Sequence, residues 1–143
     1  MDAFISHASK DTTLAAQIEK LLEEDRLKVW LDHSEIRMGV LLRKELQTAI
    51  KKSRVLILLW SKTAAKSRWV TTEVLTAFHL KRFILPCVRD NTRLPYFLQN
   101  TIYLNLQRRN TDWVERLRRA VRAAPDAANV AATLVRGQVV YRG

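Results

Sequence analysis

The sequence predicts an α/β fold in which helices cover both faces of a five-stranded parallel sheet. Three observations carry the prediction. Short apolar runs alternate with helical periodicities along most of the chain. The run Val55-Leu56-Ile57-Leu58-Leu59-Trp60 is apolar at every position, as a central parallel strand covered on both faces requires. The chain has 143 residues, 48% hydrophobic and 27% charged, which suits one globular core and excludes separate substrate and cofactor lobes.

The elements follow in order. Ala3-Phe4-Ile5 is the first strand, ended by Ser6-His7-Ala8-Ser9. Asp11 or Thr12 is the expected N-cap of a helix whose Leu14, Ile18, Leu21 and Leu22 recur at helical spacing. Residues 28–32, Lys-Val-Trp-Leu-Asp, are the second strand. A loop from His33 to Gly39 leads to a helix carrying Leu42, Leu46, Ala49 and Ile50. After the apolar third strand, Ser61-Lys62-Thr63 begins a polar loop. The next helix runs from Ser67 to His79, with Val70, Val74, Ala77 and Phe78 inward. Residues 83–88 are a fourth strand, placed near an edge because Pro86 lacks a ladder donor. Residues 102–106 are a fifth. Thr111 is the expected cap of a last helix, acidic at its start (Asp112, Glu115) and basic at its end (Arg118, Arg119, Arg122), in accord with the helix dipole.

Five strands alternating with helices in so short a chain fit a flavodoxin-like winding, strand order 2-1-3-4-5. The order reverses between strands 1 and 3, so a ligand is expected beyond their carboxyl ends. Those ends are Ser6-His7-Ala8-Ser9 and Ser61-Lys62-Thr63. The domain is expected to occupy residues 1–124. Residues 125–143 read as a linker or tail, which either packs back on the sheet edge or opens a further domain, for example a sensor.

Composition narrows the function. One cysteine, Cys87, excludes a disulfide framework and a multi-thiolate zinc site, and Cys87 itself reads as an inert core thiol. Three scattered histidines argue against a metal centre. There is no apolar run of membrane-spanning length and no secretory leader, which points to the cytoplasm. The net charge of +11 is uneven: +3 over residues 1–80 and +8 over 81–143. The arginines of the second half are not interleaved with stacking aromatics, so they read as a solvated helix face, and nucleic acid as an indirect partner only. No GxGxxG, GxxxxGK[ST], HExxH or GxSxG motif is present.

Several segments together carry a resemblance. They are Phe4-Ile5-Ser6-His7-Ala8-Ser9-Lys10-Asp11, Val29-Trp30-Leu31-Asp32, Gly39, Leu56 to Ser61, and Ser67-Arg68-Trp69-Val70-Thr71-Thr72-Glu73. Over residues 1 to 122 the chain resembles a Toll/interleukin-1 receptor (TIR) domain, and within that family the bacterial TIR proteins of anti-phage defence. Many members cleave NAD⁺ at the nicotinamide–ribose bond, giving ADP-ribose or a cyclic isomer. The resemblance implies NAD⁺ as substrate, no separate cofactor, and catalysis by the Glu of a Ser-x-Trp-x-x-x-Glu pattern, which falls on Glu73. Trp69 lies four residues before Glu73 and shares its helix face. With Val70, Val74 and Ala77 on the core face, Glu73 is expected at the core's margin.

The resemblance brings the nucleotide near Phe4, Ser6, His7, Ala8, Ser9, Ser61 and Trp69. Small Ala8 and Ser9 leave room for it. Some members carry an Arg in this first loop; here Lys10 and Lys62 are the nearby cations. Asp32, Arg37, Gly39 and Leu41 fall on or beside the loop that gates the pocket and packs against neighbouring TIR domains. Many relatives carry Pro or an acidic residue near Arg37; this chain has Arg37-Met38-Gly39. Self-assembly is expected to complete the site. A non-catalytic adaptor that assembles through the same surfaces is the other reading.

Overall fold

The computed structural model describes residues 2–31, 40–107 and 112–124, with the backbone alone for 40–44. The strands are β1 (Ala3–Ser6), β2 (Val29–Leu31), β3 (Val55–Trp60), β4 (Phe83–Val88) and β5 (Leu104–Asn105). The helices are α1 (Thr12–Glu24), α2 (Val40–Lys52), α3 (Lys62–Lys66), α4 (Arg68–His79) and α5 (Asp112–Arg122). The sheet is parallel throughout and ordered β2-β1-β3-β4-β5, as the sequence predicts.

Period-2 alternation along the strands makes two cores. Ala3, Ile5, Val55, Ile57, Leu59, Phe83, Leu85 and Cys87 face Ile18 and Leu22 of α1 and Leu117, Ala120 and Val121 of α5. Phe4, Leu56, Leu58, Trp60 and Ile84 face Leu46 and Ile50 of α2 and Val70, Val74 and Ala77 of α4. All six residues of β3 are buried because both faces are covered.

Two helices end in the same tight reversal. Arg26 and Lys81 adopt φ of 62° and 58°, the left-handed region. After α1, the amides of Arg26 and Leu27 donate to Glu23 and Leu22; after α4, those of Lys81 and Arg82 donate to Phe78 and Ala77. This pairing satisfies the last carbonyls and turns the chain sharply towards the next strand.

The structure corrects several local expectations. Asp11 holds the N-cap position of α1, as one of the two expected caps, but its side chain makes no capping bond, and a single turn, Ser9–Asp11, precedes the helix. The polar stretch after β3 is the short helix α3, and the Ser61 hydroxyl accepts from the Ala64 amide at 3.2 Å as its cap. Phe78 is 38% exposed rather than in the core, tilted against Phe97 with ring centroids 4.9 Å apart. The fifth strand is two residues long, since Ile102 and Tyr103 lie exposed outside it. Pro86 does lie near an edge: β4 is the penultimate strand, and β5 pairs only with Cys87 and Val88 beyond it. The expected cap Thr111 and the tail, 125–143, lie outside the described residues.

The arginine-rich last helix is an internal clamp. Arg118 Nε lies 3.2 Å from Asp25 and its Nη2 3.8 Å from Glu24, while Arg122 reaches Asp25 at 3.0 Å. These cations hold the carboxyl end of α1 against α5. Ala124 still belongs to the domain: it is buried, and its carbonyl accepts from Arg54 at 3.1 Å.

Cys87 is fully buried, and desolvation pushes its thiol from 9.0 up to about 12. Above pH 9 the unfolded chain loses this proton while the folded chain keeps it. Stability is therefore lost as pH rises, by about 1.4 kcal/mol per unit between the two values. Urea unfolding at pH 8 and pH 10 is expected to show this extra loss in wild type and not in Cys87→Ala. Equal slopes in the two proteins would refute it.

Candidate functional site

The carboxyl ends of β1 and β3 meet the middle of α4. Buried residues of α4 are Val70, Glu73, Val74 and Ala77, spaced i, i+3, i+4 and i+7. Glu73 thus belongs to the apolar stripe itself, not to its margin as expected, and is 1% exposed. Ser6, the last residue of β1, is completely buried and donates from Oγ to Glu73 Oε1 at 2.7 Å. Alternation along β1 explains the meeting: Phe4 and Ala8 pack on the α2 and α4 side, and Ser6 lies between them with the same parity. A carboxylate is rarely buried this deeply in a fold unless it is paired.

The other residues implied by the resemblance fall as follows. Phe4 is fully buried in the core beneath Ser6. His7 is 6% exposed; its Nδ1 lies 2.8 Å from the Ala8 carbonyl, and its Nε2 has no hydrogen-bond partner among the described residues. Since a carbonyl only accepts, Nδ1 is the donor of this bond. Ala8 is buried, and Ser9 is exposed at the start of the turn before α1. Trp69 is partly buried against the α2 and α4 core. The backbone of Leu41 is in α2. Asp32, Arg37 and Gly39 lie outside the described residues.

Ser61 is 6% exposed and already engaged. Its hydroxyl donates to Asp11 Oδ2 at 2.8 Å, and the other oxygen of Asp11 takes the Arg89 guanidinium. This buried carboxylate ties the turn after β1, the start of α3 and the end of β4 together. Sequence reading passed over it. Asp11 sits where a helix cap is expected, and its partners are 50 and 78 residues away. The only local signal was an acidic residue with no matching capping pattern.

Beside the site, Asp90 accepts from the Lys62 and Thr92 amides, both at 2.9 Å. The Thr92 side chain above all, with these amides and the nearby Arg89 charge, holds its carboxyl below the usual range against the opposing effect of desolvation. A cleft of about 460 Å³ opens beyond β4 and β5 between Asp90, Arg93, Tyr103 and Gln107. An apolar groove of about 250 Å³ lies between α4 and residues 95–97, lined by Trp60, Val74, Leu75 and Phe97. Neither cavity has Ser6 or Glu73 in its wall. No cluster of His, Cys, Asp or Glu suited to a metal ion occurs among the described residues. No helix among them is long and apolar enough to cross a membrane.

Known proteins resemble this chain in sequence or in fold. A protein of Methanobrevibacter olleyae, described as a probable 2′ cyclic ADP-D-ribose synthase TcpO, is 30% identical over 95 residues, covering 64% of this chain and 28% of that protein. The chain therefore spans little more than a quarter of that relative's length. The TIR domain of the Toll-related receptor TRR-2 of Hydra magnipapillata superposes with a TM-score of 0.73 at 20% identity, covering 85% of this chain and 98% of that one. The CMP N-glycosidase BcmB of Clostridium botulinum superposes with a TM-score of 0.60 at 14% identity, covering 80% and 95%. At such identities the likeness speaks to the fold alone. The TIR-domain family profile matches residues 3–121, nearly the whole described chain, and the protein belongs to the TIR-domain family.

Proposed function

We propose that this TIR domain cleaves NAD⁺ at the nicotinamide–ribose bond, releasing nicotinamide and forming ADP-ribose or a cyclic isomer. The observation that carries the reading is the buried Glu73 carboxylate, hydrogen-bonded by Ser6 at the carboxyl end of β1. A relative described as a cyclic ADP-ribose synthase supports the same chemistry.

The chemistry needs little else from the protein. The bond from ribose C1′ to the pyridinium nitrogen breaks, and nicotinamide leaves with the electron pair. The ribosyl fragment becomes an oxocarbenium-like cation. An ionised carboxylate fixed in a low-dielectric setting stabilises that charge without reorganising. Water captures C1′ with loss of a proton to give ADP-ribose; capture by a nucleophile of the same molecule gives a cyclic product. Trp69, four residues before Glu73, supplies an aromatic wall that limits water.

Self-assembly is part of the proposal, with a role in defence against phage. Leu75 and Phe78 on α4 are exposed, as is Tyr96 across the groove, and this apolar surface favours docking of another protein chain. The same patch favours the second reading, a non-catalytic adaptor. The test is nicotinamide release from NAD⁺ over a wide range of protein concentration, wild type beside Glu73→Gln. Release that rises faster than linearly and vanishes in the variant is the expected result. Intact NAD⁺ in a sample that demonstrably self-associates selects the adaptor.

A further inference from the structure

We propose that Ser6 is a positioning residue for the Glu73 carboxylate rather than a contact for the nucleotide. The proposal rests on the catalytic reading of Glu73 and assigns Ser6 its part in it. The Ser6 hydroxyl has one proton, and it is directed to Glu73 Oε1 at 2.7 Å. The serine is completely buried, so its hydroxyl faces protein rather than solvent.

The two ends of this bond differ in stiffness. Ser6 lies on β1, which is hydrogen-bonded on both sides, to β2 and to β3, and pairs in register with Leu58. Its backbone is held by the sheet, and its side chain has a single heavy-atom torsion. Glu73 reaches the same point from α4 through three torsions. A glutamate side chain loses up to about 2 kcal/mol of rotamer freedom on ordering. A hydroxyl fixed by the central sheet selects one carboxylate position before any substrate arrives. Preorganisation of this kind raises the rate of a step that builds charge, because nothing has to move as the charge appears.

The ionised carboxylate is the form that would stabilise an oxocarbenium ion. The bond joins residues 67 apart in sequence, across the interface between sheet and helix. Loss of this one hydroxyl leaves the strand register and the apolar stripe of α4 in place. Function is therefore expected to respond more than folding.

The test compares wild type, Ser6→Ala, Ser6→Thr and Glu73→Gln. Kinetics on NAD⁺ are measured together with the side-chain carboxyl ¹³C resonance of Glu73, assigned by its absence in Glu73→Gln. Ser6→Ala is expected to lower kcat by roughly 10–100-fold with KM within about twofold, the range seen when supporting residues of a site are removed. The Glu73 resonance is expected to shift in Ser6→Ala. Ser6→Thr, which keeps the hydroxyl, is expected to recover both in part. A kcat within twofold of wild type in Ser6→Ala, or an unmoved Glu73 resonance, overturns the proposal. If wild type itself releases no nicotinamide while the resonance still shifts in Ser6→Ala and returns in Ser6→Thr, the catalytic reading fails and the positioning of Glu73 stands.

Discussion

Glu73→Gln is expected to abolish nicotinamide release and to leave the fold intact. Gln has nearly the shape of Glu, so the stripe Val70, Val74 and Ala77 keeps its packing. The amide oxygen still accepts from the Ser6 hydroxyl, which donates to Oε1 in the native protein. What disappears is the negative charge opposite a developing ribosyl cation. Removing a single preorganised polar group from such a site lowers kcat by roughly 10²–10³-fold. Loss of the only charge assigned to the reaction is expected to match or exceed that. The thermal midpoint is expected to hold or rise, since a buried carboxylate is replaced by a neutral group. Nicotinamide release and thermal unfolding on the same samples check both halves. Equal release by the variant sinks the assignment of Glu73. Loss of release together with a collapsed midpoint shows a structural role instead.

Asp11→Ala is expected to lower stability by about 2 kcal/mol, less than the ~3–5 kcal/mol for breaking a fully buried pair. The discount has a structural reason. The Asp11 side chain is 4% exposed but that of Arg89 is 40% exposed, so water takes over much of the orphaned guanidinium. The Ser61 hydroxyl loses its acceptor yet still caps α3 through the Ala64 amide. For a domain of this size the loss amounts to a fall in thermal midpoint of roughly 6–10 °C. Asp11→Asn keeps an acceptor for Ser61 and is expected to lose less. Urea unfolding of the three proteins decides it: identical midpoints mean that the network does not hold the three strand ends together.

The fold was legible because it rests on local pattern. An unbroken apolar run such as Val55 to Trp60 has one economical explanation, a strand covered on both faces. Strands joined through helices restrict the sheet to a few windings. The weaker signals failed at the margins, where burial decides. Residues 102–106 read as a strand by composition, yet Ile102 and Tyr103 lie outside the sheet edge and only Leu104 and Asn105 pair. Phe78 fits the helical stripe by spacing but meets Phe97 at the surface.

The site was legible in a different way. Glu73 was marked by resemblance, and its depth was misjudged because a charged residue among apolar ones is read by default as facing water. A helical wheel places Glu73 at the second position of the stripe Val70, Glu73, Val74, Ala77. It does not reveal a hydroxyl waiting 67 residues upstream. Asp11 was misread for the same reason: a capping role is local, whereas its bonds to Ser61 and Arg89 exist only once three strands lie side by side.

By itself, then, the sequence determined the class of fold, the winding of the sheet and the two-sided core. These follow from periodicity, which is encoded residue by residue. Only the tertiary structure decided that Glu73 is buried and bonded to Ser6, that Asp11 joins three strand ends, and that Arg118 and Arg122 of α5 clamp α1. Those facts are pairings between distant segments. A polar group's partner is set by where the backbone brings it, and no local spacing records that.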